Sequence, residues 1–193
     1  MRYFTADPHL TDTRILRICH RPLDADEQFV KNVNALLSPG DTLYILGDLF
    51  SSTDKPTGFN NGQAFSDEGY DIPERLEIFR KLRRDIKVNM VLGNHDDESF
   101  FRYFQSVFRF ETISPYMNIR IGDHDAWMAH DPSFSIIFPE KPLLCGHVHS
   151  LFRVCRNALN VGVDQWRNYP VSETQVREVL DRMVESRFTL VEI

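Results

Sequence analysis

The sequence predicts a layered α/β fold. Short apolar runs with strand character alternate with stretches that repeat apolar residues at helical spacing. Turn-forming Pro and Gly fall between them, as at Pro39-Gly40. At 193 residues, 42% hydrophobic and 26% charged, the chain has ordinary globular composition and can bury a sizeable core. We expect one domain spanning residues 1–193.

Tyr3 to Ala6 is the first predicted strand. Ala25 to Leu37 places Phe29, Val33, Leu36 and Leu37 at helical spacing, and Thr42 to Leu46 is a buried strand. Pro73 to Arg84 reads as a helix, with proline near its start and Leu76, Phe79 and Leu82 on one face. Lys87 to Leu92 is a strand, and Asp97 to Val107 a short helix. Two strands follow between Arg109 and Ile121, split near Ser114-Pro115. Asp125 to Ala129 and Pro142 to Cys145 are further strands. Leu151 to Cys155 and Ala158 to Val161 read as a hairpin. Ser172 to Gln175 matches a capping box that opens a helix to about Val184, and Phe188 to Ile193 is a final strand.

Five motifs lie just after such apolar runs: Asp7-Pro8-His9, Gly47-Asp48, Gly93-Asn94-His95-Asp96, His130 and Gly146-His147-Val148-His149. Ligand crevices of open sheets form at the carboxyl ends of strands, so residues distant in sequence can meet along one rim. Divalent metals of intermediate softness favour imidazole nitrogen and carboxylate oxygen. Two such ions sharing a site let one activate a water while the other clamps a phosphate oxygen. The pattern therefore points to hydrolysis of phosphate esters.

These residues resemble the calcineurin-like metallophosphoesterases, whose pattern is D-x-H, G-D, G-N-H-[D/E], an isolated H and G-H-x-H. The resemblance runs from Asp7 to His149, and His20-Arg21-Pro22 and Asn160 to Asp164 look like segments of small bacterial and phage members. It implies a four-layer αββα sandwich, two mixed β-sheets flanked by helices. It also implies two divalent ions, manganese first, with iron, zinc, nickel and magnesium as other candidates. The first ion would take Asp7, His9, Asp48 and His149. The second would take Asp48, Asn94, His130 and His147, with Asp48 bridging and a hydroxide between the ions attacking phosphorus. His95 is then the catalytic acid at the leaving oxygen. Asp96 either orients the His95 ring or caps the next helix. Arg21 either contacts substrate phosphate or is solvated beside Asp24 or Asp26. Ser51-Ser52-Thr53 replaces the Asp-Arg-Gly of the family's protein phosphatases, which argues against that activity.

The resemblance leaves phosphomonoesters and phosphodiesters both open as substrates, nucleotides among them. The alternatives are a metal-binding scaffold of the same fold and a small nuclease. A formal charge of −6 argues against a dedicated nucleic-acid surface. Cys19, Cys145 and Cys155 show no paired spacing and read as buried hydrophobes in a reducing compartment. The first strand begins at the start of the chain and no apolar run reaches membrane-spanning length, so the expectation is a cytoplasmic protein. Ser51 to Asp71, with Phe59, Phe65 and Tyr70, either overhangs the site or forms a surface loop, and Asp131 to Lys141 is a second such segment. His20 and His124 have no motif support and are expected as surface or hydrogen-bonded residues.

Overall fold

A computed structural model describes residues 1–51 and 72–189. The segment from Ser52 to Asp71, with Phe59, Phe65 and Tyr70, read either as overhanging the site or as a surface loop, lies outside the described residues. Two mixed five-stranded sheets form the centre. In the first, β1 (Arg2–Thr5), β2 (Thr42–Leu46), β3 (Lys87–Val91) and β4 (Phe110–Ser114) run parallel, and β10 (Val171–Ser172) pairs antiparallel with β1. In the second, the order is β5 (Tyr116–Ile121), β6 (His124–Ala129), β7 (Leu143–Cys145), β9 (Ala158–Asn160) and β8 (Val154–Cys155). Here β6, β7 and β9 are parallel, while β5 and β8 are antiparallel edges.

Strand alternation sorts side chains into two layers of core. Tyr3, Leu43, Ile45, Val88 and Met90 face a helical layer. That layer comprises α2 (Ala25–Leu36), α3 (Ile72–Arg80), α4 (Glu98–Tyr103) and α5 (Gln105–Phe108). Phe4, Ala6, Leu46 and Val91 face the other way, against Met128, Leu144, Leu159 and Val161 of the second sheet. Helix α7 (Glu173–Thr189) adds Val176, Leu180 and Met183 to that inter-sheet core. The outer face of the second sheet carries a smaller cluster under α6 (Phe134–Ile137). The helical layer is therefore thick on one side and thin on the other among the described residues.

Local chemistry explains where elements end. Pro115 falls between β4 and β5, which belong to different sheets, so the split read from sequence is the crossover between layers. The capping box forms reciprocally: Gln175 N donates to Ser172 Oγ, and Ser172 N donates to Gln175 Oε1. The Val154–Cys155 and Ala158–Asn160 hairpin also forms.

Several boundaries differ from expectation. The third helix stops at Arg80 rather than Arg84, because Arg83 is drawn away. Its N–H donates to Asn34 Oδ1 at 2.8 Å, its guanidinium donates to Leu37 O, and it pairs with Asp85. The stretch expected as one helix from Asp97 is two, broken at Phe104. The last helix runs through Thr189, so Phe188 is helical and not in a strand. Short α1 (Thr13–Ile18), α6 and β10 were not anticipated. No helix among the described residues is long and apolar enough to cross a membrane.

Candidate metal centre

The ends of both sheets meet at one place. Beyond β1 and β2 the chains stay paired: Asp7 N donates to Gly47 O (3.0 Å), His9 N to Asp48 O (3.0 Å) and Leu10 N to Leu49 O (2.9 Å). Asp48 is followed by Leu49 and Phe50, both buried, and Phe50 packs on the rings of Phe100, Phe101 and Phe108. A buried apolar side chain contributes about 1.5–3 kcal/mol, so these anchors fix the loop that carries Asp48. The second sheet is tied in by Val163 N to Ala6 O (3.0 Å) and Val161 N to Cys145 O (2.9 Å).

Within this junction two groups of donors form. Ligand atoms of Asp7, His9 and His149 lie within 4.8 Å of one another, as do those of Asp48, His130 and His147. The Asp48 carboxylate stands between the groups, with Oδ2 at 3.1 Å from His130 Nε2 and 3.6 Å from His9 Nε2. Asn94 Oδ1 lies 3.1 Å from His130 Nε2 and 3.0 Å from His147 Nδ1. All seven expected ligands are therefore gathered.

Three of the histidines are held from behind. His130 Nδ1 donates to Leu46 O at 2.9 Å, which turns Nε2 forward toward Asp48 and Asn94. His9 Nδ1 bonds Ser51 Oγ at 2.7 Å, and His149 Nδ1 bonds Asp164 Oδ2 at 2.8 Å. Anchoring one ring nitrogen this way is how proteins orient an imidazole toward a metal. His9 Nε2 is buried with no hydrogen-bond partner. An unpaired buried acceptor facing a carboxylate is costly unless a cation or donor sits between them. Together with the mixed nitrogen and oxygen donors, this shows that the residues fit divalent ions.

Electrostatics agree. Burial pulls the His9 imidazole down to about 3, so it is neutral and able to ligate at neutral pH. Burial opposes ionisation of Asp48, but hydrogen bonding and charge from His130 outweigh it, and the carboxyl falls below its usual range. Asp7 is pushed up by complete burial. Burial disfavours the charged form of His149, yet Asp164 raises it to about 10. A cation would displace that proton, since ligands bind deprotonated.

The backbone carries strain here. Asp7, His9, Asp48, His147 and His149 all have positive φ, between 46° and 73°. Each such non-glycine residue costs on the order of 1–3 kcal/mol and persists where surrounding structure over-determines it. Two glycines are required by close approach. A Cβ on Gly93 would collide with the Asp48 carboxylate and its backbone N. One on Gly146 would sit 2.5 Å from Asp7 Oδ2 and from Ala6 Cβ.

The remaining expected site residues are placed as follows. The His95 ring stands beside His9, centroids 5.4 Å apart, and its backbone N donates to Asp48 Oδ1 at 2.9 Å. Asp96 does neither of the things expected of it. Its carboxylate accepts from Asp48 N (2.7 Å), Gly93 N (2.7 Å) and Leu49 N (3.1 Å), so it staples the Asp48 and Gly93 loops together. Burial, with Asp48 nearby, pushes its carboxyl up. Asp97 caps the next helix instead, accepting from Ser99 N and Phe100 N.

Arg21 is likewise corrected. Its side chain is only 5% exposed and faces inward. It donates to both Asp164 oxygens (2.7 and 2.6 Å), to Pro8 O (2.9 Å) and to Asp7 O (2.9 Å). Asp24 and Asp26 are not its partners. Asp164 was missed as a site residue, although the Asn160 to Asp164 segment was in view. Asn160 completes that corner, donating to His149 O at 2.9 Å and Phe152 O at 3.0 Å. Cys19, expected as a buried hydrophobe, lies half-buried near His149 and Asp164; Cys145 is buried and Cys155 exposed. His124 pairs with Asp181 at 2.6 Å.

Truncating Arg21 to alanine leaves the buried Asp164 without its main partner. Stability should fall by about 3–5 kcal/mol, read from denaturant unfolding. Unchanged stability with weakened phosphate binding would return Arg21 to a substrate role.

A family model described as calcineurin-like phosphoesterase matches residues 3–185. An uncharacterized protein of Methanocaldococcus jannaschii is 23% identical over 186 residues, covering 93% of this chain and 91% of that one. A solved protein of unknown function from Aquifex aeolicus superposes with a TM-score of 0.68 at 24% identity, covering 93% of this chain and 98% of its own. A solved archaeal phosphodiesterase gives a TM-score of 0.43 at 17% identity, covering 83% and 81%.

Proposed function

The chain belongs to the calcineurin-like phosphoesterase family, and from that premise we propose that it hydrolyses phosphate esters at a pair of divalent ions. The observation that carries this is the Asp48 carboxylate set between two donor groups, Asp7–His9–His149 and Asn94–His130–His147. The first ion would be held by Asp7, His9, Asp48 and His149, and the second by Asp48, Asn94, His130 and His147. Bound there, two ions would supply Lewis acidity to the phosphate oxygens and activate water for attack. Manganese suits the mixed donors, as do other divalent metals.

The chain's own residues do the rest. Asn94 ligates without charge, so it adds no repulsion toward phosphate. His95, half-buried beside His9, gives its proton to the leaving oxygen. Its position is set by its backbone bond to Asp48. Asp96 fixes the separation of the Asp48 and Asn94 loops through three backbone donors. Arg21 and Asp164 hold the Asp7 turn and the His149 ring from behind. Substrates are small phosphate esters.

The test is release of nitrophenol from p-nitrophenyl phosphate and bis(p-nitrophenyl) phosphate by manganese-loaded protein. Turnover of at least one is expected. No turnover of either by protein with two bound ions contradicts the enzyme and supports the scaffold alternative.

A further inference from the structure

Beside the second donor group opens a cavity of about 220 Å³. Asn94, His130 and His147 line it on the side of that donor group, together with the apolar Leu92, Pro115, Phe134 and Ile137. The Phe134 ring is braced by Tyr116, Trp127 and Phe138, with centroids 4.7–5.7 Å away. Ile137 is 68% exposed at the rim, an unusual place for a large aliphatic side chain on a four-residue helix. No lysine or arginine lines the cavity among the described residues, and Asp131 is its single acidic group.

We infer that this cavity receives a compact, uncharged apolar group attached to the phosphorus, and that the preferred substrates are therefore phosphodiesters. The inference rests on the phosphoesterase reading. Its logic is positional. The proton donor His95 stands against His9 on the side of the first donor group, and it does not line the cavity. Hydrolysis breaks the P–O bond on the His95 side, joins the water oxygen to phosphorus and returns a proton to the departing oxygen. A group in the cavity is thus the substituent that stays on phosphorus. A phosphomonoester has none. A second phosphate there would meet the Asp131 carboxylate and the apolar walls, with no lysine or arginine of the described residues to pair it. An apolar cavity of roughly 150 Å³ holds a benzene ring, so this one admits a single ring or a branched alkyl group.

The experiment holds the leaving group constant. The manganese-loaded chain is assayed on p-nitrophenyl phenylphosphonate and p-nitrophenyl methylphosphonate, each kcat/KM normalised to its uncatalysed rate. The phenyl ester should be favoured about tenfold, the gain expected from burying part of a ring. Ile137→Asp should bring the ratio close to one. Calorimetry with phenylphosphonate and methylphosphonate should show the same order of affinity without turnover. A ratio at or below one, a ratio untouched by Ile137→Asp, or equal phosphonate affinities would overturn the proposal. No turnover of either ester, with phenylphosphonate still the tighter ligand, would leave the cavity assignment standing and overturn the phosphoesterase reading instead.

Discussion

Replacing Asp48 with asparagine should lower turnover by about three orders of magnitude and remove bound metal from both positions. The side chain keeps its shape, and an amide oxygen can still accept the hydrogen bond from His95 N. Only the charge is lost. That charge lies 3.1 Å from His130 Nε2 and 3.6 Å from His9 Nε2, so it serves both donor groups at once. Asp7 remains to balance one cation, but it is fully buried and hydrogen-bonded to His147 N by both oxygens. Metal analysis of the purified variant, beside its circular dichroism, checks the claim. A folded variant that retains two ions per chain would show that Asp48 is not shared.

The His95→Ala variant should separate chemistry from metal binding. A positioned proton donor contributes typically about 10²–10⁴-fold, and turnover should fall by that much. Metal content should hold, because the link from this residue to Asp48 is made by the backbone N, which alanine retains. A leaving group of low basicity needs less help from an acid, so the loss should shrink from alkyl to nitrophenyl esters. Loss of metal in parallel with activity would make His95 part of the metal shell and remove the acid from the scheme.

Much of this architecture was legible in the residues. The meeting of the proposed ligands was readable because each follows a short apolar strand, and strand ends converge by construction of the fold. The crossover between sheets was visible as Pro115, and the final helix start as the Ser172 to Gln175 box. What sequence hid is direction. Asp96 and Asp97 are adjacent acids before a helix, and either could cap it; backbone angles decided that Asp97 does, while Asp96 turns back to the Asp48 loop. Arg21 read as either a phosphate contact or a solvated partner of Asp24 or Asp26, because its charge is visible in sequence and its partner, 143 positions away, is not. The positive φ values at five of the proposed ligands leave no trace as glycine, since none is one. The misread strand at Phe188 shows the usual ambiguity of a short apolar run, which helix and strand fit equally.

Anomalous scattering from crystals grown with manganese is the most direct measurement. Two peaks, roughly 3.5–4 Å apart, should straddle the Asp48 carboxylate, one against His9 and His149 and the other against His130 and His147. A single peak that leaves either histidine pair without a neighbour, or none at all at saturating manganese, would contradict the account.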